Sequence, residues 1–200
     1  MIPKTQAGME NKKTKILKAA LKLFTKYGFR ETTTSQIARE AGVANGTLFH
    51  YFPTKDDIIE TLFLLCSLNA ESYYRRGLEN YKSIKGKFMQ LLHNWLNFAL
   101  EHTEQYLFIN MYLTSSYLPQ DEKILVFSEF IEKIIEPGER QKLFKDGPPE
   151  LILEVTCNLL HILIVHFLNN RQKASDPEYV ERALSFIWDS VSNPHALSHK

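Results

Sequence analysis

Apolar residues recur every three to four positions along most of the chain, and no stretch gives a convincing strand pattern. The pattern predicts an all-α protein. Lys12 to Tyr27 carries Ile16, Ala20, Leu23, Phe24 and Tyr27 on one stripe, and Gly28 closes that helix with the residue best suited to a left-handed end. Met1 to Asn11, ahead of it, is short, polar and disorder-prone. A later helix starts at Lys55, with Asp56 and Asp57 favourable to the helix dipole in its first turn. Its apolar series, Ile58, Ile59, Leu62, Phe63, Leu65 and Cys66, meets no breaker before Gly77, so this helix is long and joins two domains.

Further helical patterns cover 82–102, 104–118, 121–145, 149–170 and 177–192. They are separated by Leu118-Pro119, by Asp146-Gly147-Pro148-Pro149 and by Ser175-Asp176-Pro177, while Pro137-Gly138 kinks or splits the third of them. Asp176 is a cap with proline at the first helical position, and Val180, Ala183, Leu184, Ile187, Trp188 and Val191 form the stripe that follows. There is no internal repeat and no low-complexity tract.

Residues Thr32 to Lys55 fit two short helices around a glycine turn. Thr33 with Gln36 three residues on is a capping box, so a helix starts near Ser35. Ile37, Ala38 and Ala41 line one face, and Gly42 stands where positive φ is cheapest. The second helix, from Asn45, turns Leu48 and Phe52 inward and leaves Asn45, Thr47, His50 and Tyr51 outward. Pro53 stops it at about Tyr51, leaving roughly two turns to enter a major groove about 12 Å wide. This unit is a helix-turn-helix, and the helix from Lys12 packs across it as a third.

Net charge is only +1, but its distribution is uneven. Residues 1–55 hold ten Lys and Arg against three Glu, whereas 56–200 hold fourteen against twenty Asp and Glu. The basic part is the part with the motif, which favours phosphate there and repels the remainder from a duplex. Lys12, Lys13, Lys15, Lys18, Lys22 and Lys26 contribute to it and also read as the solvated face of the first helix. Cys66 and Cys157, far apart in apolar stretches, suit packing in a reduced cytoplasm rather than a disulfide. No signal peptide opens the chain, and the most apolar run, Leu151 to Leu168, includes Glu154, Asn158, His161 and His166, so it reads as a buried helix and not a membrane span. A helical enzyme is the competing class, but there is no glycine-rich phosphate loop, zinc motif or nucleophile elbow; no catalytic residue, cofactor or metal is expected.

The string IAREAGVANGTLFHYFPTKDDI resembles the signature of the TetR family of one-component repressors, over about Thr33 to Ile59. The resemblance implies that Thr33 and Thr34 sit against phosphate, that Ser35, Asn45, Gly46, Thr47 and His50 lie in or beside the groove, that Phe49 and Tyr51 brace the backbone, and that Lys55 binds a phosphate. Thr47 and His50 are equally open to reading bases or contacting phosphate and sugar. Gly46 is either tolerated or selected for close backbone approach. The sequence departs from the family at Ala44, where a serine is usual, at Phe49, where tyrosine is usual, and at Thr54, where serine is usual. Ala44 forgoes a side-chain cap and Phe49 cannot donate to phosphate.

The chain therefore divides into 1–55, a tail with a three-helix DNA-binding head, and 56–200, a helical bundle for ligand binding and dimerisation. Helix 149–170 is apolar nearly all round and must be covered, either by the chain's own helices or, as the resemblance implies, by pairing of the last two long helices across a two-fold axis. Phe88, Trp95, Phe98, Tyr106, Phe108, Tyr112, Phe127 and Phe130 are mostly core. The family holds its inducer in such a bundle, which makes Trp95, Phe98, Met111, Tyr112, Phe127, Cys157 and His161 candidate wall residues, chosen by position rather than motif. His161 and His166 suit satisfied core or interface histidines better than metal ligands. The expected protein is a cytoplasmic homodimeric repressor released from a palindromic double-stranded operator by a small hydrophobic effector. The alternative is a ligand-independent DNA-binding regulator or an activator.

Overall fold

The computed structural model describes residues 4–117, 134 and 136–196, with side chains from residue 12 onward. Phe127, Phe130, the Leu118-Pro119 boundary and most of the helix expected over 121–145 lie outside the described residues. What is described is helical: α1 (Lys4–Glu31), α2 (Thr34–Glu40), α3 (Asn45–Tyr51), α4 (Lys55–Tyr74), a 3-10 turn (Leu78–Asn80), α5 (Ile84–Glu101), α6 (Thr103–Leu113), α7 (136–140), α8 (Pro149–Asn169), α9 (Arg171–Ala174) and α10 (Pro177–Val191). Among the described residues there is no strand, only an isolated antiparallel bridge between Phe144 and Ser192.

Several boundaries differ from the expectation. The first helix begins at Lys4 rather than Lys12, since the single Gly8 is tolerated inside a helix and Ala7 and Met9 alone make no apolar stripe that would mark one. Gly28, at φ 82°, does interrupt α1, but a further helical turn follows, and this changes which aromatic is buried. Tyr27 is half exposed and Phe29, beyond the kink, enters the core in its place. Leu65 of α4 is likewise exposed. α6 stops at Leu113, short of the expected 118, where Thr114 donates to the Asn110 carbonyl (2.9 Å) and Ser115 to that of Tyr112 (2.7 Å). Such hydroxyl bonds compete with helix propagation. The helix expected to reach 145 ends at Arg140. Leu143 N–H donates to Gly138 O (2.9 Å) and Lys142 N–H to Glu139 O (2.8 Å), a Schellman ending with Lys142 at φ 53° in the place glycine usually takes.

The chain forms two compact units. The first takes in Met1–Ala70 and His102–Leu118, hence α1 to α3, most of α4, and α6. Its centre is aromatic: Phe29 meets Phe24 (5.3 Å), Phe108 (5.6 Å) and Tyr117 (5.2 Å) edge to face, and Phe63 stacks on Tyr112 (3.8 Å). The second takes in Glu71–Glu101 and Pro119–Lys200. There the stripe expected on α10 is buried in full, and Trp188 meets Phe88 (5.4 Å) and Phe144 (5.9 Å) edge to face. Asp176 caps α10 as expected, accepting from the N–H groups of Glu178 and Tyr179.

Helix C-termini in this protein are repeatedly closed by side chains from distant sequence. The buried Asn94 amide donates to the carbonyls of Tyr74 (3.0 Å) and Arg76 (2.7 Å) at the end of α4. Arg171 donates to Leu100 O (3.0 Å) near the end of α5, and Lys145 to Ser190 O (2.7 Å) near the end of α10. Each satisfies a carbonyl that the helix itself leaves open and places a donor at the negative end of the dipole.

Gly138 sits under the Phe144 ring so closely that an added Cβ would lie 2.3 Å from Cε2. Gly138→Ala is expected to displace Phe144 and destabilise the second unit by about 1–3 kcal/mol, the usual range for overpacking. Thermal melting monitored by Trp fluorescence checks this, and an unshifted midpoint would show that the ring has room to move.

Candidate nucleic-acid interface

The Thr33 box forms: the Thr33 hydroxyl accepts from Gln36 N–H (3.2 Å), and the Gln36 side-chain oxygen accepts from Thr33 N–H (2.7 Å). α2 then runs to Glu40, with Ile37 and Ala38 buried, and Gly42 makes the turn at φ 66°. α3 follows from Ala44, which offers no side-chain cap. Leu48 (0% exposed) and Phe52 (2%) anchor it from below. Its other face carries exposed Asn45, Gly46, Phe49 and His50, with Thr47 and Tyr51 half-buried beside them. The His50 and Tyr51 rings meet edge to face at 5.5 Å. Thr33 and Ser35 are exposed at the start of α2, and Thr34 is partly so.

Lys55 is placed differently from the outward residues. It is half-buried, and its ammonium donates to the carbonyls of Phe29 (2.8 Å) and Thr32 (3.3 Å). Behind it a second box starts α4: Thr54 N–H (2.8 Å) and hydroxyl (2.7 Å) donate to Asp57, whose N–H donates back to the Thr54 hydroxyl (3.1 Å). Thr54 with Asp57 three residues on has the spacing of Thr33 with Gln36, an acid standing in for the amide, and that spacing is the signal by which the sequence reading, which missed this box, could have found it. The Lys55 contacts carry no such signal, because they join residues more than twenty positions apart.

Around this face Lys12, Lys13, Lys15, Lys18, Lys22 and Lys26 are all exposed. Lys13 lies over the Phe52 ring at 5.6 Å. Lys22 pairs with Glu40 at 2.7 Å, which holds the carboxyl below and the ammonium above their usual ranges, chiefly through that hydrogen bond.

A sequence profile of bacterial regulatory proteins of the tetR family matches residues 16–62, the stretch that builds this face. The HTH-type transcriptional regulator HbdR of Aromatoleum sp. is 27% identical over 186 residues, 90% of this chain and 80% of that one. A crystal structure of a TetR-family transcription regulator from Shewanella sp. PV-4 superposes with a TM-score of 0.81 at 27% identity, over 91% of this chain and 98% of that one. Together these likenesses support a TetR-family transcriptional regulator. The chain is a DNA-binding transcription regulator and not an enzyme. A second TetR-family structure, from Marinobacter aquaeolei VT8, shares the fold with a TM-score of 0.82 at 19% identity, covering 94% of this chain and 99% of that one.

The candidate effector residues of this TetR-family protein fall in both units. Met111 and the buried Tyr112 belong to the first. Trp95, Phe98, Cys157 and His161 belong to the second, where Phe98 is fully buried and Tyr74 stacks on Trp95 (4.8 Å) and meets Phe98 edge on (5.8 Å). Phe127 lies outside the described residues. None of them lines the concavity of about 650 Å³ on the second unit that is bounded by His93, Ala174, Pro177, Glu178, Val180, Glu181 and Arg182. Burial pushes the thiols of Cys66 and Cys157 up to about 12, so both stay protonated at neutral pH.

Because α3 starts without a side-chain cap, Ala44→Ser is expected to stabilise it by about 0.5–1 kcal/mol. Circular-dichroism melting should show a midpoint rise of a few degrees, and a fall would mean that serine does not adopt the capping geometry.

Proposed function

We propose that this TetR-family regulator is a homodimeric repressor that leaves a palindromic operator when a small hydrophobic ligand binds its helical body. The observation that carries the DNA-reading part is α3 itself, whose inward Leu48 and Phe52 fix an outward face of Asn45, Gly46, Thr47, Phe49, His50 and Tyr51 beside exposed lysines. In this reading Asn45, Thr47 and His50 reach base edges, Gly46 lets the backbone approach, and Phe49 and Tyr51 brace against the sugar-phosphate chain. Thr33, Thr34 and Ser35 present phosphate contacts from the start of α2. Lys55 stands at the rim.

Dimerisation is supported by a stripe that a single chain leaves open. α8, with a mean hydropathy of 2.0, is long and apolar enough to cross a membrane by length and composition, yet Leu151, Ile162 (62% exposed) and Val165 alternate on its outer face with Glu154 and Asn158. Phe186 of α10 is 72% exposed. A second copy placing the same two helices over this stripe covers it in a closed, isologous interface and sets two heads about one DNA turn, ~34–36 Å, apart. Cytoplasmic residence follows from that role. Trp95, Phe98, Cys157 and His161 are the proposed effector-facing residues of the second unit, Met111 and Tyr112 those of the first, with Phe127 of the same set. α4, which runs from the first unit into the second, is the proposed relay.

Selecting bound duplexes from a random pool tests the reading. The expected product is an inverted repeat with half-sites centred about 10 base pairs apart. Recovery of single, unpaired sites would remove the palindrome, and recovery of nothing at low salt would remove operator binding. Adding hydrophobic effectors to the recovered complex then separates the repressor from a ligand-independent regulator: release in one case, unchanged affinity with all of them in the other.

A further inference from the structure

We infer that Lys55 acts on DNA binding as a positioning residue, a clamp on the end of α1, and not as a cation presented to phosphate. The inference deepens the operator-reading role proposed above and rests on it. α1 does not finish cleanly: Gly28 breaks it, one more turn follows, and the carbonyls at its end have no intrahelical partners. Two side chains close that end. The buried Thr32 hydroxyl donates to Gly28 O (2.8 Å) and approaches Leu23 O (3.3 Å), and the Lys55 ammonium donates to Phe29 O (2.8 Å) and Thr32 O (3.3 Å).

A cation at that spot is electrostatically placed, since the carbonyl end of a helix is the negative end of its dipole. At its own position it is misplaced, because Lys55 is the first residue of α4, where the dipole disfavours positive charge and the following Asp56 and Asp57 suit the site better. The contact across more than twenty residues therefore accounts for a lysine where local chemistry argues against one. It also matches the remote donors that close α4, α5 and α10 through Asn94, Arg171 and Lys145.

The clamp fixes two things at once. Phe29, whose carbonyl Lys55 holds, has its ring among Phe24, Phe108 and Tyr117, so the Phe29 backbone is anchored to the core of the first unit. Thr32, the second acceptor, immediately precedes the Thr33 cap of α2. Lys55 itself follows α3 by four residues. One ammonium thus ties the entrance of α2 to the exit of α3, the two ends of the reading unit, and sets how far α3 projects.

The test begins with the unaltered protein. Acetic anhydride footprinting of lysines without DNA is expected to label Lys12, Lys15 and Lys18 readily and Lys55 slowly, and adding a duplex recovered from the random pool is expected to leave the Lys55 rate unchanged. Fast labelling of Lys55 that the duplex then suppresses would overturn the inference. The DNA-free arm stands even if no duplex is recovered, so a failure of operator binding and a failure of the clamp are separable.

The second arm is Lys55→Met, which keeps the apolar stem, compared at a temperature well below its melting midpoint. The clamp predicts several-fold weaker binding with the slope of log affinity against log salt unchanged. A slope shallower by about 0.9 would mean that a phosphate contact was lost, and full affinity in the folded variant would mean that the bond only stabilises; either result overturns the inference.

Discussion

Truncating Leu48 to alanine is expected to abolish operator binding at temperatures where the rest of the chain stays folded. Leu48 is completely buried and, with Phe52, is one of two side chains that hold α3 against the first unit. Losing a buried leucine costs about 2–5 kcal/mol, which is a large part of the ~5–15 kcal/mol that keeps a typical protein folded. The loss falls on a helix with little stability of its own. α3 has seven residues, no side-chain cap and a glycine at its second position, and isolated helices shorter than ~12–15 residues are marginal in water. Fluorescence anisotropy with labelled duplex, run beside far-ultraviolet circular dichroism, separates the outcomes. Helix content should fall slightly and affinity entirely; retained affinity would show that α3 does not depend on this anchor.

The second large effect is expected at the opposite end of the chain. Phe186→Glu combined with Ile162→Asp places two charges on the stripe proposed to meet a second copy. Both positions are well exposed in the single chain, so neither substitution should disturb the fold of the second unit. Two carboxylates facing their own copies across a two-fold axis would face like charge in a dry interface, and the dimer should separate. Each head then binds alone. Joining two sites raises affinity by about 10²–10⁴-fold through effective concentration, and that factor should be lost. Sedimentation equilibrium would read the mass and anisotropy the affinity. An unaltered mass at micromolar protein places the interface elsewhere.

Wherever a local rule governed, the sequence was readable. Thr33 with Gln36, Asp176 with Pro177, and Gly42 each specify a helix end through contacts within a few residues, and all three appear where their chemistry requires. The inward pair Leu48 and Phe52 and the stripe from Val180 to Val191 followed from helical period alone. Tyr27 and Phe29 show where that reasoning stops. Periodicity through Gly28 counts Tyr27 inward, but positive φ at the glycine rotates the next turn and exchanges the two rings. Lys142 ended a helix without the glycine that would have announced it. Lys55 escaped for another reason: the resemblance offers an outward role, whereas its partners, Phe29 and Thr32, are brought near only by tertiary packing. The residues proposed to face an effector are the least legible, because aromatic side chains at helical spacing look the same in sequence whether they only pack, as Trp95 and Phe98 do against Tyr74, or also face a guest.

The unequal capping of the head bears on the order in which it takes shape. α2 and α4 each open with a reciprocal threonine box, so their first turns form from neighbours in sequence and need no distant help. The reading helix between them has no such start and must wait until Leu48 and Phe52 find their seats. On refolding it is therefore the latecomer of the three, and on heating the first to fray, so recognition of an operator is lost before the scaffold that carries it melts.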